Sequence, residues 1–320
     1  MAKTVYVLGE LNVDAIISGS RIHPEPNKEK FVDDFSITLG SSSAITACRL
    51  SQLGLNVCFV SVVGDDDFGK YCIERLKRFG VNVEHVRTDP REKTGVTVSL
   101  STPSDRALLT FMGAIPKLAV PIMPDSMMER ADHLHFGSFY LQLGMQREWA
   151  ALFAQAKACG ITTSFDAGWD PEENWRRPLI DGLLPVTDLF VPSEEEALRI
   201  YGCSDLDELA EALPKRRGSV AVKCGKRGAR MLTPEGEWLH ESGFAVKAVD
   251  TTGAGDSFNA GLIYSFLEGE PRREQLIFGN ACGALSAQEI GGTGGALDVR
   301  QARALIAAQR PEKPGKVAME

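Results

Sequence analysis

The sequence has no C-x-x-C pair, no excess of positive charge and no apolar run long enough to span a bilayer. Each absence removes a class of function. The seven cysteines, an odd number scattered from Cys48 to Cys282, fit neither a disulfide framework nor a zinc site. Several sit in apolar contexts (Cys58, Cys224, Cys282), so buried free thiols in a reducing compartment are expected. Lysine plus arginine number 35 against 43 aspartates plus glutamates, a formal charge of −8. That balance argues against nucleic acid or an anionic membrane as the main partner and still allows a local basic pocket. The opening M-A-K-T-V-Y-V-L-G enters a strand at once, so no signal peptide and a cytoplasmic location are expected.

Familiar nucleotide and nucleophile signatures are missing too. There is no G-x-x-x-x-G-K-[ST], and Gly9-Glu10-Leu11 stands where a dinucleotide G-x-G-x-x-G would follow the first strand. No G-x-S-x-G elbow and no H-R-D occurs. His133 and His135 would share one face of a strand, but no Cys or His cluster lies near them, and a core strand is the better reading. Trp169 and Trp175 could stack on a sugar or a base, or pack a loop; packing is favoured.

What is present is an ordinary globular composition over 320 residues, with 43% apolar and 24% charged residues. Thr4 to Leu8 reads as a buried strand. Beyond it, Asn12 and Asp14 would project from one face of extended chain, or else serve a turn. Ala15 to Leu39 is polar and proline-containing, as are edge strands outside a core. Gly40 to Ser43 opens a helix over Ala44 to Leu53, followed by a strand over Val57 to Val63 and a helix over Asp65 to Phe79. Thr94 to Leu100 and Ala107 to Phe111 form a hairpin signal around Pro103-Ser104-Asp105-Arg106. From Ala131 strands and helices alternate, which implies a mostly parallel sheet covered on both faces.

One stretch organises the rest: A-V-D-T-T-G-A-G-D-S-F-N-A-G, from Ala248 to Gly261. A strand is expected over Phe244 to Val249 and a helix over Ser257 to Leu267, so Thr251 to Asp256 is the turn between them. Gly253 and Gly255 let backbone pass close to a ligand, and free N–H groups at the helix start favour an anion. Asp256 is open to two roles there. It is a helix cap, or it is a general base beside a hole for transferred phosphate.

The string D-T-T-G-A-G-D-S-F-N-A-G, with G-D-D-D-F-G earlier, closely resembles the PfkB (ribokinase-like) carbohydrate kinases from about Val5 to Ile306. That resemblance implies a three-layer αβα sandwich with a mostly parallel sheet and a small β lid. It implies one kinase domain over residues 1–310, lid segments at about 15–39 and 93–113, and a loose tail over 311–320. ATP and Mg2+ are the implied cofactors, a small sugar the partner, and pairing of lids into a homodimer the implied assembly. Asp256 resembles the catalytic base, which it can serve while also capping its helix. Gly253, Ala254 and Gly255 resemble the anion hole. Asn12 and Asp14, with the Gly40-Ser41 turn, match positions that hold sugar hydroxyls. Lys223 to Gly228, including Gly225, aligns with a turn against the nucleotide, Asn280 with a residue near adenine. Ser193 and Glu196 match N-x-x-E, whose Glu organises magnesium through water. Asp250, Thr252, Ser286, Glu289, Gly291 and Gly295 match positions that form a K+ site in many members.

Two departures stand out. The G-G-x-x-x-N opening reads Gly40-Ser41-Ser42-Ser43-Ala44-Ile45, and an isoleucine cannot hydrogen-bond a hydroxyl. Ser193 replaces the Asn of N-x-x-E. The expected activity is ATP-dependent phosphoryl transfer to the hydroxymethyl group of a small sugar or sugar acid. The alternatives are a nucleoside kinase on the same fold and a non-catalytic sugar- or nucleotide-sensing protein. A sugar phosphate would want lid cations such as Lys28, Lys30 and Arg106, but lid charges are more often simply solvated, and a neutral sugar or sugar acid is favoured.

Overall fold

The computed structural model describes residues 2–20, 22–102 and 106–310. In chain order they form β1 (Thr4–Leu8), β2 (Asn12–Ser18), β3 (Asp34–Leu39), α1 (Ser42–Gln52), β4 (Asn56–Gly64), α2 (Asp67–Arg78) and β5 (Asn82–Asp89). Then come β6 (Gly95–Ser101), β7 (Arg106–Phe111), α3 (Met127–Arg130), β8 (His133–Phe136), α4 (Trp149–Ala158), β9 (Thr162–Phe165) and α5 (Arg177–Leu183). The remainder is β10 (Leu189–Phe190), α6 (Glu194–Tyr201), α7 (Leu206–Ala212), β11 (Ser219–Lys223), β12 (Ala229–Leu232) and β13 (Trp238–Glu241). Three helices close the chain: α8 (Ala254–Leu267), α9 (Arg272–Ser286) and α10 (Val299–Gln309).

A nine-stranded sheet runs in the order β13-β12-β11-β10-β9-β8-β1-β4-β5. From β11 to β5 every pairing is parallel, and β12 and β13 add an antiparallel edge. β1 shows why the sheet needs cover on both faces. Val5 and Val7 enter the core layer shared with α1, α2, α8, α9 and α10, while Tyr6 and Leu8 enter the layer shared with α4 to α7. The molecule is a three-layer αβα sandwich. The strand order reverses between β1 and β8, and such a switch point opens a crevice at the carboxyl ends of the strands.

A second sheet has four strands, β3-β2-β6-β7, with only β2 and β6 parallel. Its two faces differ sharply. Asn12, Asp14, Ser36, Thr97, Ser99 and Thr110 line a cavity against the main sheet. The alternate positions, including Phe35, Ile37, Leu109 and Phe111, are exposed on the opposite face.

The strand expected over Phe244 to Val249 is absent; those residues are irregular. Arg310 covers the Phe244 ring at 4.9 Å, and the Gln309 side chain bonds both the N–H and the carbonyl of Ala245 at 2.9 Å. Side chains take the backbone groups that a ladder would have used. β5, α3 and α7 were not anticipated; in β5, N-V-E-H-V-R-T-D is a half-exposed edge with no clean alternation. Residues Pro103, Ser104 and Asp105 of the expected hairpin and the tail over 311–320 lie outside the described residues. Among the described residues no helix is long and apolar enough to cross a membrane, and Cys58, Cys224 and Cys282 are free and buried.

Candidate active site

Chain ends from the main sheet and one face of the smaller sheet enclose a cavity of about 970 Å³, enough for a small polyhydroxylated ligand. Glu10 follows β1, Ser138 follows β8, and Asp256 comes from the start of α8.

Asp256 is not the cap of its helix. Gly253 is the N-cap, in left-handed conformation at φ 73°, and no side chain caps α8. The Asp256 carboxylate instead accepts a hydrogen bond from Ser42 Oγ at 2.5 Å. Burial pushes its pKa up to about 7; the Ser42 hydroxyl pulls it down and Asp166 adds to the rise. A carboxylate poised there suits a general base at neutral pH. Gly253 is required twice over, since a Cβ would also stand 2.5 Å from Gly292 Cα. Ala254 turns its N–H to Thr251 O at 3.2 Å. At Gly255 a Cβ position lies 3.7 Å from Lys223 Nζ, which brings a cation against the turn.

Lys223 sits at the end of β11 and is the centre of a buried polar cluster. Its ammonium donates to Asp166, and at 3.4 Å to Asn259 Oδ1, while Asn259 Nδ2 donates to Asp166 at 2.6 Å. Burial opposes its charge, but Asp166 and Glu196 outweigh that and hold the pKa above the usual lysine value. Glu196 is raised, by burial first and then by Asp166. Lys223 opens the segment expected to lie against the nucleotide, and its charged end faces the glycine turn. Ser193 and Glu196 form a reciprocal capping box, with Ser193 N–H to Glu196 Oε2 at 2.8 Å and Glu196 N–H to Ser193 Oγ at 3.3 Å. Serine thus caps α6 at the position where the family pattern has asparagine.

These carboxylates fit a magnesium ion. Among the described residues no group of three or more His, Cys, Asp and Glu side chains could hold a metal alone. Hard oxygens from Glu196 and Asp166, reached through water and completed by substrate phosphates, are the donor set Mg2+ prefers.

On the opposite wall, Asn12 Nδ2 donates to Asp14 Oδ1 at 3.2 Å and to Thr97 Oγ1 at 3.4 Å. Burial raises Asp14 to about 6, with Asn12 and Arg106 lowering it. Gly40 makes room for this pair, since a Cβ would fall 2.2 Å from Asp14 Oδ1. Ser41 stands at φ 74°, which is strained for a residue with a side chain. Its hydroxyl accepts from Ala44 N–H at 2.9 Å to cap α1 and donates to Glu10 O at 2.6 Å. The Glu10 carboxylate also receives Ser43 Oγ at 2.8 Å, and burial raises its pKa. Arg106 bonds Thr252 Oγ1 at 3.2 Å and also lines the cavity.

A model described as the pfkB family of carbohydrate kinases matches residues 2–298. The chain belongs to this family. It is 28% identical over 299 residues to the ribokinase of Haemophilus influenzae, covering 91% of this chain and 94% of that protein. It is 32% identical over 290 residues to the ATP-dependent ribose-1-phosphate kinase of Halopiger xanaduensis, with 88% and 91% covered. Among solved structures, an Arabidopsis thaliana ribokinase complexed with ribose and ATP matches with a TM-score of 0.80 at 25% identity, covering 96% of this chain and 99% of that one.

The other positions marked by the family resemblance are placed as follows. Gly225 and Gly228 take positive φ of 58° and 97°, and a Cβ on Gly228 would meet Glu241 O at 2.1 Å. Asn280 donates to Glu241 O at 3.0 Å and Ser242 O at 3.3 Å, tying α9 to the end of β13. Asp250 accepts from Thr252 N–H and Gly291 N–H, both at 2.9 Å. Burial works against its charge, yet those two bonds keep its pKa below the usual carboxylate value. The Arg49 guanidinium donates to Gly295 O at 3.3 Å and to Ser286 Oγ at 3.4 Å, so these two oxygens already face a cation.

His133 and His135 are buried and bond Thr162 and Ser164, with His135 lowered to about 4 by burial, so they are neutral core residues. Trp175 is buried and meets Trp169 edge-on at 4.9 Å; neither lines the cavity.

Sequence reasoning missed Glu10, Ser42, Asp166, Asn259 and Arg49. Asp166 had a usable signal, as a carboxylate directly after the strand T-T-S-F. Asn259 follows Asp256 at i+3 on the same helix face. Nothing local marks Ser42 or Arg49.

Proposed function

We propose that this pfkB-family kinase transfers the γ-phosphoryl group of ATP to the hydroxymethyl group of a small sugar or sugar acid. The observation that carries the reading is Asp256, half-buried in the cavity wall beside the Gly253–Gly255 turn with its pKa raised to about 7. Asp256 takes the proton from the sugar hydroxyl as it attacks. The N-terminal end of α8 and the Lys223 ammonium face the charge that develops on the moving oxygens. Magnesium, held through Glu196 and Asp166, would neutralise phosphate charge. The smaller sheet, with Asn12 and Asp14 on its inner face, holds sugar hydroxyls and keeps water out, which limits ATP hydrolysis.

Charge narrows the acceptor. The described cavity wall carries Glu10, Asp14, Asp33, Asp34, Asp250 and Asp256 against a single cation, Arg106. That wall disfavours a doubly charged sugar phosphate and suits hydroxyls. Lys28 and Lys30 are both paired to Glu25 at 2.5 Å. Neither Trp169 nor Trp175 lines the cavity, so they offer no stacking surface there to a nucleoside.

The apolar outer face of the smaller sheet supports assembly of two chains through their lids. Phe35 (56% exposed), Leu109 (62%) and Phe111 (55%) lie there uncovered.

The test is ADP release with ATP and magnesium across neutral sugars, sugar acids, sugar phosphates and nucleosides. Turnover with a sugar or sugar acid is expected. Turnover restricted to nucleosides, or none with any acceptor despite calorimetric sugar binding, would overturn the reading.

A further inference from the structure

Arg49, on α1, is fully buried. Among the described residues its guanidinium donates only to uncharged oxygens. Nη2 reaches Gly294 O at 2.7 Å, Gly292 O at 3.1 Å and Ser286 Oγ at 3.4 Å. Nη1 reaches Gln52 Oε1 at 2.9 Å and Gly295 O at 3.3 Å. Asp256 and Glu289 stabilise its charge at longer range, partly offsetting burial.

This is the environment of a bound cation. A buried charge is costly unless oriented dipoles replace its water, and three carbonyls of one glycine turn are aimed at it. The hydroxyl comes from Ser286, the last residue of α9, where the macrodipole is negative. A compact monovalent cation would require the same ligands.

The turn held by Arg49 is in contact with the anion hole. A Cβ on Gly253 would meet Gly292 Cα at 2.5 Å and Gly292 O at 2.7 Å, so the two glycines touch back to back. Ile45, one helical turn before Arg49, supports Gly292 from the other side, where a Cβ would meet Ile45 Cδ1 at 2.4 Å. Two neighbouring side chains of α1 thus set where the Gly291–Gly295 turn lies, and that turn sets Gly253.

We propose that Arg49 is a built-in replacement for a monovalent cation, clamping the Gly291–Gly295 turn against the anion hole so that the protein neither binds nor needs potassium. Arg49 is a positioning residue; it touches no reacting atom. The consequence for activity rests on the kinase reading above, but the binding claim does not.

The experiment compares the full chain in KCl, NaCl and tetramethylammonium chloride at equal ionic strength, reading melting temperature and, separately, ADP release with the best acceptor. Wild type should show the same melting temperature in all three salts and rates within about twofold of one another, since a site already filled gains nothing from ligand. Arg49→Ala should lose about tenfold or more in kcat and acquire a melting temperature raised by potassium or by millimolar guanidinium, as a vacated cation site would. Rescue of kcat by either cation completes the expectation.

A melting temperature of wild type raised by potassium over sodium would overturn the proposal, as would an Arg49→Ala protein as active as wild type in every salt. If Arg49→Ala does not fold, the wild-type salt comparison still decides. If no acceptor is phosphorylated, the thermal comparison decides alone, which separates failure of this inference from failure of the kinase reading.

Discussion

Ser42 Oγ donates a hydrogen bond to Asp256 Oδ1 at 2.5 Å, joining residues 214 positions apart in the chain. It is the first contribution opposing the burial that raises Asp256 to about 7. The start of α1 therefore sets how far Asp256, the proposed base, is ionised at the start of α8.

Removal of that bond should be visible in a pH profile. The base works only when ionised, so kcat/KM should fall as pH drops through an acid limb near 7. In Ser42→Ala the pKa of Asp256 rises further and the limb moves upward. For a shift of about one unit the loss approaches tenfold below the limb and fades above pH 8. A loss equal at every pH would instead mean that Ser42 acts on binding or folding.

Asp256→Asn should lower kcat by about a thousandfold or more while ATP still binds by calorimetry. Stability should move the other way. The folded value of about 7 lies above the unfolded carboxylate value, so the contribution of Asp256 is fully present below pH ~4 and is lost as pH rises through 7. Asparagine carries no such charge. The variant should melt above wild type at pH 8, and the gap should narrow toward pH 4. A lower melting temperature at pH 8 would show that the carboxylate is not strained there.

Gly40→Ala tests the sugar wall. Its Cβ would stand 2.2 Å from Asp14 Oδ1 and 2.6 Å from Asn12 Nδ2, so the pair must shift. Misplacement of a positioning pair by about an ångström costs up to about a hundredfold. The sugar KM should rise at least tenfold on that scale, with the ATP KM unchanged. Equal changes in both constants would count against assigning Asn12 and Asp14 to the sugar.

The outer face of the smaller sheet gives a test of assembly. Leu109→Glu places a charge on an apolar face without touching the inner one. Light scattering should show a dimer for wild type and a monomer for the variant, because burying an unpaired carboxylate costs more than the contact returns. A wild-type monomer at micromolar concentration would end the lid-pairing proposal.

The local sequence by itself determined the elements whose conformation depends on near neighbours. The apolar run of β1 and the helix over Ser257 to Leu267, which in fact starts at Ala254, could be read directly, since strand and helix periods act within a few residues. The D-T-T-G-A-G-D string also marked Asp256, although two roles for it stayed open. Only the tertiary structure removed the cap role, by giving the helix a glycine N-cap and the carboxylate a distant serine. The same holds for Lys223 with Asp166, 57 positions apart, and for Arg49 with Gly294, 245 apart. Such pairs arise from strand order, which sets β11 beside the switch point and α1 against α8. Local periodicity cannot specify which distant segments become neighbours; that depends on how all the apolar faces are buried together.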